Sequence, residues 1–531
     1  MQTVEFDAVP ELFSALFRRW LKEPPGSEPR HGVVVRPEDV PEPPPGPSRD
    51  VRQELCARLE EYQKRLGAPP EAFSAIAKLR DERALSVITG QQPNLLGGPL
   101  LVTYKAATAV MLARRLEARW GRPVVPVFWN HSDDADVEEI RRVHLIDREN
   151  RLQAVEADAA PARTEIAALD WRESLPRLLA RCWELLPETQ FSPEARKIYQ
   201  PGVAEGPAVW FAGILTRVLG PHGLVVFEPR LGRTLWADVI EREVRGNGGI
   251  HEALAAEAGR LKGEGFEPPL DAETVATLFR VLDGRRRKIR RTAAGLEEAE
   301  GPGPRSVEET ARLVREQPET FSPGVALRPI CQDRVFPTAA IVGGPAEIGY
   351  LTQLRGAYAA FGMQPPALVP RLSATLLEPK IRKVLDKFRL SPPEVLHLGR
   401  RIGTLMEGAL PPDLEERYYR LRHALVVEVR AMRKLTQEVD PSLERHYRRF
   451  AGKVMHSLKE LKRRTAGVLL EREQVGRSQL EKAALHVTPR QQPQERVLTL
   501  APYLCLFGSG VVGRLLEAAD GFAGKHVLVG L

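Results

Sequence analysis

Ser86-Val-Ile-Thr-Gly90-Gln91-Gln92, then Gly97-Gly98-Pro99, then Val124-Val-Pro-Val-Phe-Trp129 decide how this chain folds. The first is an apolar run that breaks at a glycine. The second precedes a long helical pattern, Leu101 to Trp120. The third is another apolar run, followed at once by Asp133, Asp134, Asp136, Glu138 and Glu139. Short apolar runs bounded by turn signals read as strands buried on both faces. The order strand, tight loop, helix, strand is a parallel βαβ unit. Such units bind ligands in the crevice beyond the carboxyl ends of their strands.

Three more runs extend the pattern: Gly223-Leu-Val-Val-Phe-Glu228, Thr338-Ala-Ala-Ile-Val342 and Ala367-Leu-Val-Pro-Arg371. Five buried strands separated by helices predict an α/β fold with an open parallel sheet. The stretches between them, about 145–220 and 230–335, are too long for simple crossovers and predict a connecting subdomain. Leu278 to Leu282 and Lys288 to Thr292 flank Asp283-Gly284, a hairpin signal. Gly295 to Gly303 reads as a surface loop, and the chain just after Glu139 reads as helical and polar. Beyond about Leu376 no strand signal appears until His526 to Val529. Between these, Leu414, Tyr418, Leu421, Leu425, Met432 and Leu435 repeat mostly at three- and four-residue steps, and after Asp440-Pro441 the pattern resumes. This predicts a long antiparallel helical coiled coil broken at proline.

The expected organisation follows. Residues 1–85 are a helical region with a proline-rich connector, including an amphipathic helix with Leu12, Phe13, Leu16, Phe17 and Trp20 on one face. Residues 86–145 are the first half of the core. Residues 146–335 are helical and hairpin insertions that include the core strand 223–229. Residues 336–375 are the second half of the core, 376–490 the coiled-coil arm and 491–531 a helical tail.

The chain has 531 residues, with 77 Lys and Arg against 70 Asp and Glu. A net charge of +7 is small beside that total, so the charge does not argue for nucleic acid. The basic run Arg285-Arg286-Arg287-Lys288 lacks the interleaved aromatics that base stacking needs and reads as a solvated hairpin face. Cys56, Cys182, Cys331 and Cys505 form no Cys-x-x-Cys pair, which argues against a structural zinc site and fits a reducing cytosol. The first residues lack a signal-peptide layout and no apolar run reaches membrane-spanning length. The expectation is a cytoplasmic protein.

Gly90-Gln91-Gln92 at a strand end and Gly98-Pro99 at a helix start suit close approach of an anionic ligand. The spacing matches neither Gly-x-Gly-x-x-Gly nor a Walker loop, and a plain βα turn explains the glycines equally well. Asp133, Asp134 and Asp136 suit an amine or Mg²⁺, or simply a solvated helix start. His131 beside them is a base or a structural histidine. Gly344-Pro345-Ala346-Glu347 repeats the strand-then-glycine design. Arg371 ends the fifth strand, where a guanidinium suits a carboxylate or phosphate.

Thr89-Gly-Gln-Gln-Pro-Asn-Leu-Leu-Gly-Gly-Pro99, with Tyr104-Lys105, closely resembles the Gly-Gln-Gln-x-x-Leu-Leu-x-Gly-Pro signature of the BshC family, the proposed cysteine-adding enzymes of bacillithiol biosynthesis. Further blocks match in order: Phe128-Trp129 with the acidic cluster and Val143-His144; Arg328-Pro329 with Gln332-Asp333 and Pro337; Gly344 to Glu347 with Tyr350; Pro370-Arg371-Leu372 with Glu378; and Pro489-Arg490 with Gln494-Glu495-Arg496. The resemblance covers nearly the whole chain. It implies a Rossmann-like core, connecting insertions and a coiled-coil arm that forms a homodimer. The implied reaction joins L-cysteine to the amine of glucosaminyl-malate. The implied catalytic set is Asp133, Asp134, Asp136 and His131. The implied binding set is Thr89, Gly90, Gln91, Gln92, Gly98, Pro99, Tyr104, Lys105, Trp129, Gly344, Glu347, Tyr350 and Arg371. The activator is open: ATP or another nucleotide, with Mg²⁺, is compatible. The chain departs from the family at Ala135, where members read histidine. Rival readings are another acid–amine ligase or nucleotidyl-transfer enzyme, a synthetase-like hydrolase, or a coiled-coil RNA-binding or scaffold protein with a vestigial core.

Overall fold

A computed structural model describes residues 2–9, 15–22, 34–43, 47–202, 204, 206–246, 249–405, 412–522 and 524–531. Part of the expected N-terminal helix and most of the proline-rich connector lie outside these; within them a helix spans Ala15–Lys22. The chain forms two compact units, Met1–Pro379 with Gln492–Leu531, and Lys380–Gln491.

The first unit is built on a five-stranded parallel sheet. Its strands are β1 (Leu85–Gln91), β2 (Val124–Asn130), β3 (Val225–Phe227), β4 (Thr338–Gly343) and β5 (Ala367–Pro370), in the spatial order β5-β4-β1-β2-β3. These are the five runs marked in the sequence. Their residues alternate between two apolar layers. Ile88, Val127, Trp129, Phe227, Ile341 and Leu368 share one core with Leu55, Leu59 and Ile76 from helices Arg49–Leu66 and Pro70–Leu79. Leu85, Val87, Val342 and Val369 share the other with Ala109, Leu112 and Leu116 of helix Leu100–Trp120. Helices on both faces leave no polar side to the strands, hence their continuous apolar runs. Trp129, Phe227 and Trp236 form an aromatic cluster, with ring centroids 4.6 Å apart for Trp129–Phe227 and 5.7 Å for Trp129–Trp236.

The register brings the strand ends to one edge. Gly90 pairs with Trp129, Gln91 with Asn130, Thr89 with Val342 and Gly343 with Pro370. The chain leaves β1 toward β2 and β3, then returns on the other side as β4 and β5. β1 and β4 therefore flank the switch point, where open α/β sheets bind ligands.

The structure corrects three local expectations. The segment after Glu139 is a hairpin, Arg142–Ile146 paired with Leu152–Glu156. Gly295 to Gly303 is not simply a loop: Gly295–Glu298 is a strand of a five-stranded antiparallel sheet with Leu278–Leu282, Arg285–Thr292, Pro304–Arg305 and Phe321–Pro323. There Glu298 is buried and pairs with Arg280 (3.0 Å) and with Arg305, so its charge is a poor signal of exposure. Ser373–Leu377 is a strand, parallel to His526–Gly530, which pairs in turn with Gln2–Val4. The tail strand expected at His526 to Val529 is present as His526–Gly530, beside helices.

Against the Ser373–Leu377 strand, Glu495 of helix Gln494–Val497 accepts from Arg371 (2.7 Å), the Ala374 N–H (2.9 Å) and Ser373. His526 lies between Ser373 and Thr375 hydroxyls, 2.9 Å from each. Burial pushes the His526 imidazole down to about 4. It stays neutral in the folded protein while the unfolded chain takes up a proton below about 6.5. Its stabilising contribution is complete above that pH and is lost as pH falls toward 4. His526→Gln is expected to flatten the dependence of the urea midpoint on pH between 6.5 and 4. Asp333, raised to about 6 by burial, acts oppositely between about 4 and 6, so the test reads the difference between variant and parent. Parallel curves would refute the assignment.

The second unit holds helices Pro412–Val439 and Glu444–Val487, joined across Pro441. They run antiparallel: the Tyr447 hydroxyl donates to the Val429 carbonyl (2.8 Å), and Tyr418 and Thr465 hydroxyls are 3.1 Å apart.

Candidate active site

A cavity of about 800 Å³ opens at the switch point. The loop after β1 supplies Gln91, Gln92 and Pro99, and helix Leu100–Trp120 supplies Lys105. The segment after β2 supplies His131, Asp133 and Asp134, and the turn after β4 supplies Gly344, Glu347 and Tyr350. Arg371 comes from the end of β5, Arg328 from helix Arg328–Val335, and Arg286 and Phe279 from the inserted antiparallel sheet.

Lys105 ties two of these walls together. Its side chain is 2% exposed. The ammonium donates to the Gly90 carbonyl (2.8 Å) and Gln91 Oε1 (2.6 Å), and pairs with Glu347 Oε2 (2.5 Å). Burial lowers the pKa of Lys105, and Glu347 partly offsets that. Glu347 also accepts from the Gly344 N–H (2.9 Å), closing the turn after β4.

The turn after β1 is tight. Gly98 has φ +80°, a left-handed conformation that glycine adopts without cost. Leu96, fully buried, has φ 48° there, which costs a leucine about 1–2 kcal/mol. Gly90 makes room for His131: a Cβ on Gly90 would lie 2.7 Å from His131 Nε2 and 2.7 Å from the Trp129 carbonyl oxygen. The His131 N–H donates to the Gln91 carbonyl (3.0 Å), while its imidazole has no hydrogen-bond partner among the described residues. Burial, then the charges of Arg328, Lys105 and Arg286, hold its pKa well below the usual value, so the ring is neutral. Gly90→Ala is expected to displace that ring, because the Trp129 carbonyl is backbone and cannot yield. The cost is about 1–3 kcal/mol of overpacking, with a moved His131 resonance in the imidazole NMR spectrum; an unmoved resonance would contradict it.

Asp133 is buried and takes a hydrogen bond from Ser322 (3.3 Å); burial raises its pKa. Asp134 accepts from Gln92 Nε2 (2.7 Å) and from the Ala135 N–H (2.7 Å), with Arg286 Nη1 at 3.8 Å. Among the described residues no group of three or more His, Cys, Asp or Glu could hold a metal ion.

Other residues of the expected set stand elsewhere. Asp136 is exposed and caps helix Val137–Ile140 through the Glu139 N–H (3.3 Å); it is outside the cavity. Thr89 is buried and donates to the Val342 carbonyl (2.8 Å), joining β1 to β4. Trp129 and Tyr104 are fully buried behind the wall, and Gly98 lines a smaller adjoining pocket. Arg371 lines the cavity, yet it already holds a carboxylate, Glu495, and donates to the Leu372 carbonyl (2.6 Å). Among the cavity residues outside the expected set are two arginines. Arg328 donates to Tyr350 (3.1 Å) and Gln332 (3.2 Å). Arg286, read as part of a solvated face, lies over the Phe279 ring at 3.9 Å and donates to the Pro323 carbonyl (2.7 Å). Arg328 belonged to a quoted motif block; nothing local marked Arg286, whose placement depends on how the inserted sheet docks.

Fold and site together define a Rossmann-like α/β protein with a charged, polar cavity at its sheet switch point, an inserted subdomain and a coiled-coil arm. Family models described as "Bacillithiol biosynthesis BshC, N-terminal Rossmann-like domain" and "Bacillithiol biosynthesis BshC, C-terminal coiled-coil domain" match residues 44–372 and 374–531. The chain belongs to the BshC family. It is 32% identical over 504 residues to a protein of Heliobacterium modesticaldum, covering 90% of each chain, and 34% identical over 482 residues to a protein of Thermus thermophilus, covering 89% of this chain and 93% of the relative. Both relatives carry the name "Putative cysteine ligase BshC".

Proposed function

We propose that this protein is a ligase that joins the carboxyl group of L-cysteine to the amine of glucosaminyl-malate, the last step of bacillithiol biosynthesis. The observation that carries the reading is the neutral, unpartnered His131 imidazole in the switch-point cavity. Amide formation from a free carboxylate runs uphill in water, so the carboxylate of bound cysteine must be activated before attack, with ATP or another nucleotide as the source. The amine nitrogen attacks the acyl carbon, the leaving group takes the electron pair of the bond it breaks, and the amine's proton passes to His131. Gln91 and Gln92 orient substrate, and Asp133 and Asp134 hold the amine. At the start of helix Leu100–Trp120 the Gly98 and Leu100 N–H groups already donate to the Leu95 and Leu498 carbonyls (2.8 Å each), and Pro99 has no N–H, so developing negative charge is not held there.

Two companions of this reading are a cytoplasmic site of action and a homodimer. The four cysteines are free and buried, and no helix among the described residues is long and apolar enough to cross a membrane. Tyr419, Leu435 and Val439 stand 70%, 61% and 80% exposed on the helical arm, more apolar surface than a solitary hairpin needs. The test is expression in a bacterium that makes glucosaminyl-malate but lacks its own cysteine-adding enzyme. Bacillithiol is expected to appear; its absence, with the protein folded and expressed, contradicts the reading.

A further inference from the structure

The cavity's cations differ in what already neutralises them. Lys105 is paired with Glu347 and Arg371 with Glu495, while Arg496, also on the lining, is exposed to solvent. Arg286 has Asp134 at 3.8 Å. Arg328 makes no ion pair among the described residues: the two groups it donates to, the Tyr350 hydroxyl and Gln332 Oε1, are uncharged. Asp133 and Glu347 act on it through space, but Glu347 is bound to Lys105 and Asp133 to Ser322. Half-buried on the cavity lining, Arg328 keeps its charge against burial through Tyr350, Asp133 and Glu347, and its guanidinium is open to a ligand.

The guanidinium is also held in place. It stands over the Trp129 ring, 5.9 Å from its centroid, and Trp129 is locked between Phe227 and Trp236. Gln332 in turn donates to Asp333 (3.0 Å), which the Tyr358 hydroxyl also reaches. Two of five guanidinium N–H groups are used by Gln332 and Tyr350. The others remain for a ligand, in the planar fork that matches a carboxylate.

We infer that Arg328 is the anion-holding residue of the cavity, its missing counter-ion being a carboxylate brought by the substrate, with Arg286 adding charge from the inserted sheet. This rests on the ligase reading for the substrate's identity, and it moves the anion site from Arg371, whose carboxylate is supplied by the protein itself. Two carboxylate sources exist in that reaction, the malyl group of the acceptor and the amino acid.

The test is titration calorimetry on the full chain, with L-malate in one arm and L-cysteine in the other. Wild-type protein is expected to bind at least one of them saturably, and Arg328→Met to weaken that ligand at least about 30-fold. Arg328→Lys, which keeps a charge but loses the fork, is expected to weaken it about tenfold; it also serves where the Met variant does not fold. Loss confined to L-malate assigns the acceptor's carboxylates, and loss confined to L-cysteine assigns the amino acid's. Absence of saturable binding of either by wild type, or undiminished affinity in a folded variant, overturns the proposal. Binding is read without turnover, so the outcome is separate from whether cells lacking the protein still make bacillithiol, which tests the ligase reading alone.

Discussion

Replacing Lys105 with methionine is expected to cost about 3 kcal/mol of stability and to abolish the cavity's ability to hold a ligand. The ammonium is buried and meets three acceptors, two on β1 and its exit and one on the helix after β4. Methionine fills similar volume, so little of the loss comes from packing. What is lost is the partner of Glu347, of Gln91 Oε1 and of the Gly90 carbonyl. Removing one member of a buried pair costs about 3–5 kcal/mol, because the other charge is left unpaired; the lower end applies since Glu347 remains 24% exposed. Arginine is not a conservative replacement, since its fork cannot present three converging donors to these acceptors. A lowered urea midpoint together with loss of function checks this. An unchanged midpoint and full activity would mean that Lys105 is not the strut between the two walls.

His131→Asn is expected to reduce bacillithiol formation by about 10²–10⁴-fold, the usual worth of a positioned base, with an unchanged urea midpoint. The ring is neutral because burial and three surrounding cations disfavour its protonation. A base must be unprotonated, so wild-type activity is expected to hold steady as pH falls through about 6.5, where an ordinary histidine titrates, and to decline only well below it. A decline centred at that ordinary value, or near-full activity in His131→Asn, would remove His131 from the chemistry. Residue 135 is alanine, so no histidine stands there to substitute for His131.

Much of this was legible in the sequence because both faces of the central sheet are covered. Five short apolar runs separated by helical stretches read as buried parallel strands, and their common direction placed Gln91, His131, Asp133, Glu347 and Arg371 at one edge. What escaped was set by long-range pairing. Ser373–Leu377 becomes a strand only because Gln2–Val4 and His526–Gly530, from opposite ends of the chain, complete its sheet. Glu298 looked solvent-facing until Arg280 and Arg305 met it. Arg371 and Arg328 are indistinguishable as residue types. Only Glu495, 124 residues away, makes one of them saturated and leaves the other open. Asp136 was read with its acidic neighbours, yet two positions beyond Asp134 its carboxylate caps a helix and lies outside the cavity.

The most direct measurement is the low-molecular-weight thiol content of cells from which this protein has been deleted. Loss of bacillithiol with accumulation of glucosaminyl-malate is predicted, both reversed by the wild-type chain and not by His131→Asn. Unchanged bacillithiol in the deletion strain would contradict the ligase reading.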